Sequence, residues 1–188
     1  ANVTFENCEV DGVLKSPRGI SGDNGTTIIR NCYIHHTGNG IEVSPKESLH
    51  VEGNFLDEIM SPANNPYDWH CDGIQAFGGD DNITIRHNTI NLHNPETGAI
   101  NIGTYDPTND LAQNVLIEYN LLGGGGYTMY TGRDSDSSYR VLNNHLSTRF
   151  YPKVGIAGAW YWDDSEDGSA IRSGNIIHET GAVANYGP

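Results

Sequence analysis

Internal repetition is the feature of this sequence that most restricts its fold. Short segments alternate apolar and polar residues, pass through Asn or Cys and close on an aliphatic residue: NVTFENCEV, TTIIRNCYI, LHVEGNFL, NITIRHNTI, NVLIEYNLL, YRVLNNHL and AIRSGNII. Aligned in one register, they place Cys8, Cys32, Asn54, Asn88, Asn120, Asn144 and Asn175 in one column, and Val10, Ile34, Leu56, Ile90, Leu122, Leu146 and Ile177 in a second. Steps along the first column are 24, 22, 34, 32, 24 and 31 residues. Equal cores with unequal spacing mean a repeat architecture whose units differ in their loops.

Each unit carries a further strand, usually announced by Gly, whose inward members are expected to be Ile20, Ile41, Ile74, Ile100, Met129, Ile156 and Val183. Apolar columns and turns of Gly and Asn describe a solenoid in which each strand pairs in parallel with its copy one coil away, about 4.8 Å along the axis. About seven coils follow, giving a stack of roughly 29 Å. Asn side chains stacked from coil to coil can bond to one another as in other cross-β ladders, which accounts for the recurrence of that residue type. A β-sandwich, also built of short strands between turns, is the rival architecture, and the aligned Asn column favours the solenoid.

The repeat, together with HCDGIQ (70–75) and NITIRHNTI (82–90), resembles right-handed parallel β-helices of the pectate-lyase-like superfamily. It is similar to β-helix modules of secreted bacterial proteins and of phage tail proteins. That resemblance implies an all-β, single-stranded right-handed parallel β-helix over residues 1–188, and the handedness comes from it alone. It also implies an extracellular or virion-surface setting and a polysaccharide partner. The Arg-rich catalytic signature of pectate lyases and the clustered Asp motifs of polygalacturonases are absent from the sequence.

Composition narrows the partners. Ten Lys plus Arg against 24 Asp plus Glu give a net charge of −14, so neither nucleic acid nor an anionic membrane is the expected partner. No apolar run reaches the roughly 18 residues needed to span a bilayer. The first and last segments are themselves strand-like, so flanking domains or other subunits are expected to cap the ends, the chain being part of a longer one.

Chemistry is expected on the outward positions of the Gly-announced strands: Ser21, Glu42, Gln75, Asn101, Tyr130, Ala157 and Ala184. Glu42, Gln75, Asn101 and Tyr130 on neighbouring rungs suit a glycan, whose hydroxyls need donors and acceptors and whose C–H faces stack on rings; an ordinary solvated strand face is the alternative. The longest insertion, LDEIMSPANNPYDWHCDGIQ, brings Trp69, His70 and Asp72 to the edge of that row. Later loops add Tyr105, Asp106, Arg133, Trp160, Tyr161 and Trp162.

Two mechanisms fit these residue types. A lyase needs a base, here His70 or Tyr130, and a cation against the uronate carboxylate, here Arg133 with Lys153, or Ca²⁺. A glycoside hydrolase needs two carboxylates, and Asp72 with Glu42, Asp106 or Asp134 would supply them. The alternative function is a noncatalytic glycan-binding adhesin, phage tail module or structural solenoid, in which Trp160, Trp162 and Tyr130 form an aromatic platform. Asp134 with Asp136, and Asp163 with Asp164, are the oxygen-rich positions for Ca²⁺, although they match no EF-hand or calcium β-roll pattern. The eight His show no zinc spacing, and adjacent His35 and His36 are expected to split between two faces. Cys8 and Cys32 share a column, so both a disulfide and a pair of stacked free thiols suit them, while Cys71 stands alone.

Overall fold

A computed structural model describes residues 2–23, 25–44, 47–62, 69–77, 82–93, 97–103, 112–131, 138–161 and 171–184. The first two coils are β1 (Val3–Glu6) with β2 (Glu9–Asp23), and β3 (Thr26–Arg30) with β4 (Tyr33–Ser44). Four coils of three strands follow: β5 (Ser48–Glu52), β6 (Phe55–Asp57), β7 (Ile74–Ala76); β8 (Ile83–Arg86), β9 (Thr89–Leu92), β10 (Ile100–Ile102); β11 (Val115–Glu118), β12 (Leu121–Gly124), β13 (Tyr127–Thr131); and β14 (Tyr139–Leu142), β15 (His145–Ser147), β16 (Gly158–Tyr161). The last comprises β17 (Ile171–Ser173) and β18 (Ile176–Ile177).

Every pairing between these strands is parallel and joins one coil to the next. The first face is the seven-stranded sheet β1-β3-β5-β8-β11-β14-β17. The second carries β6, β9, β12, β15 and β18, and the third carries β7, β10, β13 and β16; β2 and β4 run unbroken around the corner and serve both. The chain is therefore an all-β parallel solenoid, not a sandwich. Its axis is filled by the two apolar columns: Ile34, Leu56, Ile90, Leu122 and Leu146 are all fully buried, as are Ile41, Ile74, Ile100 and Met129. Each residue of the Val10 to Ile177 column pairs with its predicted neighbour.

One turn is repeated between the first and second faces. Asn7, Asn31, Gly53, His87, Tyr119, Asn143 and Gly174 all have φ between 53° and 69°, and each precedes a member of the Asn column. A single left-handed residue swings the chain through the corner, a conformation Asn and Gly tolerate best. The next residue then points inward, where its polar group needs partners. Those come from the neighbouring coil: Asn54, Asn88, Asn120 and Asn144 each donate a side-chain N–H to the amide oxygen of the next Asn at 2.9–3.0 Å. The same oxygen also accepts the backbone N–H of the residue behind it, at 2.9–3.0 Å. Cys32 closes the ladder through its N–H to Asn54 at 2.9 Å, and Cys8, Cys32 and Cys71 are free thiols.

Three sequence expectations are corrected. In the sixth coil Met129 pairs with Trp160 and Tyr130 with Tyr161, so Trp160 points inward, 1% exposed, while Ile156 is 52% exposed. Residues 148–157 come first, delaying the strand by four positions. In the last coil Ala184 is inward and Val183 outward, because Val183 bridges Ile176 in antiparallel fashion and breaks the register. Finally, His36 adopts φ 52°, a bend that cancels the strand alternation and puts both neighbouring rings on one side, Nδ1 to Nδ1 at 2.8 Å.

Candidate functional site

The third face carries its outward row in register: Ser21, Glu42, Gln75, Asn101, Tyr130 and Tyr161 stand on consecutive rungs. Beside the first rungs lies a cavity of about 470 Å³, within the range of small-ligand sites. Pro17, Trp69 and Phe77 give it apolar walls, and Arg18, Asn39, Glu42, Gln75 and His70 supply its polar groups.

Asn39 organises these groups. It occupies the corner between the second and third faces, flanked by two glycines that the crowding requires. A Cβ on Gly38 would lie 2.5 Å from the Pro17 carbonyl and 3.0 Å from the Trp69 ring; one on Gly40 would lie 2.6 Å from the Gly73 carbonyl. The Asn39 amide nitrogen donates to Glu42 Oε2 at 2.6 Å and to Gln75 Oε1 at 2.7 Å, and its oxygen accepts the Asp72 N–H at 2.8 Å. Arg18 Nε stands 2.6 Å from Glu42 Oε1, and this bond to the Glu42 carboxylate raises the pKa of the guanidinium further. Across three coils the floor is thus one bonded set of side chains with little rotational freedom.

Asp72 is fully buried beneath the rim. Its Oδ1 accepts the Gly98 N–H at 3.0 Å and its Oδ2 accepts the Asn101 amide at 3.1 Å. The same Oδ2 lies 3.4 Å from His70 Nδ1, and the His70 side chain is 53% exposed. A buried carboxylate behind a half-exposed imidazole orients the ring toward the cavity, the placement a general base requires. Cys71, between them in sequence, is fully buried and donates its S–H to the Trp69 carbonyl at 3.2 Å.

Farther along the row the surface turns aromatic. Tyr130 meets Tyr127 edge-on at 5.7 Å and Tyr161 at 5.5 Å, and Tyr127 meets Tyr161 at 5.3 Å. The Tyr130 hydroxyl accepts the Tyr127 N–H at 3.2 Å, and its ring covers Gly98, where a Cβ would come within 2.7 Å.

The cavity therefore brings together Glu42, Gln75 and His70, with Asp72 and Asn101 directly behind, while Tyr130 sits in the aromatic cluster on the next rung. Trp160 is not part of any platform: the displaced strand turns it into the core, and Tyr161 takes the outward place. Arg133, Tyr105, Asp106 and Trp162, and the Ca²⁺ candidates Asp134, Asp136, Asp163 and Asp164, lie outside the described residues. Sequence reasoning missed Arg18 and Asn39. Asn39 sits two residues before inward Ile41, so simple alternation puts it inside; the Gly38-Asn39-Gly40 triplet was the available sign of a corner.

The family model described as right handed beta helix region matches residues 1–90, which contain the coils that build the cavity. Neither the curated proteins nor the solved structures include a match.

Proposed function

From the premise that this chain is a right-handed parallel β-helix, we propose that it is an extracellular carbohydrate-active domain that binds a polysaccharide along its third face. We further propose that it cleaves the chain by proton abstraction at His70. The observation that carries this reading is the cavity in which the fixed row Arg18, Glu42, Asn39 and Gln75 faces the Asp72-backed imidazole. Carboxylate, amide and guanidinium groups on adjacent rungs match the alternating hydroxyls of a sugar chain. Trp69 and Phe77 beside them, and the Tyr127, Tyr130 and Tyr161 rings beyond, offer stacking faces for further sugar units.

Elimination is favoured over hydrolysis because of what the carboxylates already do. Hydrolysis needs two carboxyl groups free to flank one bond. Asp72 is buried with both oxygens accepting bonds, and both Glu42 oxygens accept from Arg18 and Asn39. His70, by contrast, stands half-exposed on the cavity with Asp72 behind it, and Arg18 on the same cavity can lie against a uronate carboxylate. Beta-elimination would leave an unsaturated sugar at the new nonreducing end.

The test is a screen of the chain against neutral and uronate polysaccharides, with and without Ca²⁺, following ultraviolet absorbance of unsaturated ends and total reducing ends together. Both signals rising, with His70→Ala lowering the rate roughly 100-fold or more, is the expected result. Reducing ends alone would move the reaction to hydrolysis. Retained binding with neither signal would leave a noncatalytic glycan-binding module, the reading that the tyrosine cluster also supports.

A further inference from the structure

We propose that Asp11, His35 and His36 form a site for a divalent late first-row cation of the zinc type, at the corner between the second and third faces. His35 Nδ1 and His36 Nδ1 are 2.8 Å apart, and Asp11 Oδ1 lies 2.9 Å from the second and 3.9 Å from the first. Two ligand atoms each about 2.05 Å from a tetrahedral zinc ion stand about 3.3 Å from one another, so these separations bracket what an ion requires. Two imidazole nitrogens and one carboxylate oxygen are a donor set suited to zinc and its neighbours, with positions left open.

The remote ring nitrogens supply the independent argument. His35 Nε2 lies 3.2 Å from Glu9 Oε1 and His36 Nε2 lies 2.7 Å from Glu58 Oε2. With each Nε2 held by a carboxylate, Nδ1 of each ring is the nitrogen turned toward Asp11 as a ligand atom. Three potential ligand atoms then converge on one point, where a cation can replace the proton that the same contacts would otherwise share. Metal-binding histidines are oriented in this way by carboxylates behind them.

The fold holds every member. His35 is 6% exposed and stacks on Tyr33 at 4.1 Å with an interplanar angle of 11°. The Val13 N–H donates to Asp11 Oδ1 at 2.8 Å and holds the carboxylate in place. Five positions separate Asp11 from Ser16 where the paired strand has two, His35 to Thr37, and this bulge leaves Asp11 exposed at the mouth. Ligands and supporting carboxylates come from three successive coils, so a bound ion would clamp the first coils together.

The full chain, stripped with chelator, is titrated with Zn²⁺ by calorimetry and its thermal unfolding followed. Expected are one ion per chain, a rise in Tm, and X-ray absorption showing two imidazole ligands. Asp11→Asn and His36→Asn should each weaken binding at least tenfold, and Glu58→Gln, which acts through His36, about tenfold. Asn tolerates the left-handed backbone at position 36, and Asp11 is exposed, so the latter variant keeps the test sound even if the former unfolds. His145 and His178 also face each other, Nδ1 to Nδ1 at 3.0 Å; His178→Ala should leave binding unchanged. Wild-type binding no tighter than that of Asp11→Asn, or a loss in His178→Ala instead, would overturn the assignment.

Discussion

The two corners on either side of the second face solve the same problem in opposite ways. The corner that enters it is one left-handed residue followed by a ladder residue, repeated in each coil. The corner that leaves it changes every time: β2 and β4 pass through unbroken, while the later connections take 16 residues from β6 to β7, 7 from β9 to β10, 2 from β12 to β13 and 10 from β15 to β16. In the first, a buried amide satisfies its neighbours and is satisfied by them, so one residue type works throughout. In the second, no side-chain ladder recurs among the described residues, and the connection there can carry Trp69 and His70. Repetition supplies rigidity, and the variable corner places chemistry on it.

The largest effect that would break this comparison is expected at Asn88, in the middle of the ladder. It accepts from Asn54 twice and donates to Asn120, Val51 and Arg86. Asn88→Ala leaves several buried groups unpaired and should cost about 3 kcal/mol or more in urea unfolding. Cys8→Ala, at the exposed end of the same column, should change stability by less than about 0.5 kcal/mol. Equal costs at both positions would show that the ladder is not the source of the rigidity.

Asp72→Asn comes next, because it turns one acceptor toward donors while preserving shape. A loss of about 2 kcal/mol is expected, with a displaced pH profile for any activity dependent on His70. An unchanged profile would separate His70 from its carboxylate. Tyr161→Ala removes one ring of the aromatic cluster and should weaken oligosaccharide binding by about 1 kcal/mol, read by calorimetry, with little change in stability. Trp160→Ala, one residue earlier and pointing inward, should instead destabilise by about 3 kcal/mol. The contrast between these two adjacent residues tests the displaced register of the sixth coil.

The smallest effect concerns Glu179. Desolvation pushes its pKa up, but hydrogen bonds from the Ser147 hydroxyl and the Thr148 N–H outweigh that and bring it down to about 2. A carboxylate with a depressed folded-state pKa adds stability that is full above its ordinary value and is lost as pH falls toward the depressed one. The window is therefore about pH 4.5 down to about 2. Because the residue is exposed, screening keeps the contribution under about 1 kcal/mol. Ser147→Ala should flatten the acid side of the stability curve, and an unaltered slope would remove this hydrogen bond from the account.

Legibility in the sequence followed periodicity. The Asn column, the aliphatic column beside it and the row Glu42, Gln75, Asn101, Tyr130 all depend on a period of two and a constant register, and all stand in the structure as the repeat implied. Expectations failed where the backbone leaves the strand region. Trp160 is buried because a ten-residue connection delays its strand; Asn39 reaches the cavity because a glycine-flanked corner resets the alternation; His35 and His36 share a side because position 36 is left-handed. His enters the left-handed region more readily than most residue types, but the type by itself does not mark position 36 as one that does.

What the sequence determined by itself was the solenoid: identical apolar spacing in each unit leaves stacking as the one way to bury all the columns, and recurrent Asn requires a neighbour's Asn to satisfy it. What only the tertiary structure decided was which side chains meet between coils. Arg18 finding Glu42, Asn39 joining Gln75 to the Asp72 backbone, and Asp11 facing two imidazoles all link residues 24 to 36 positions apart. Such meetings depend on where each corner bends and on which coil lies beside it, because residues so far apart in sequence meet only once the coils are stacked.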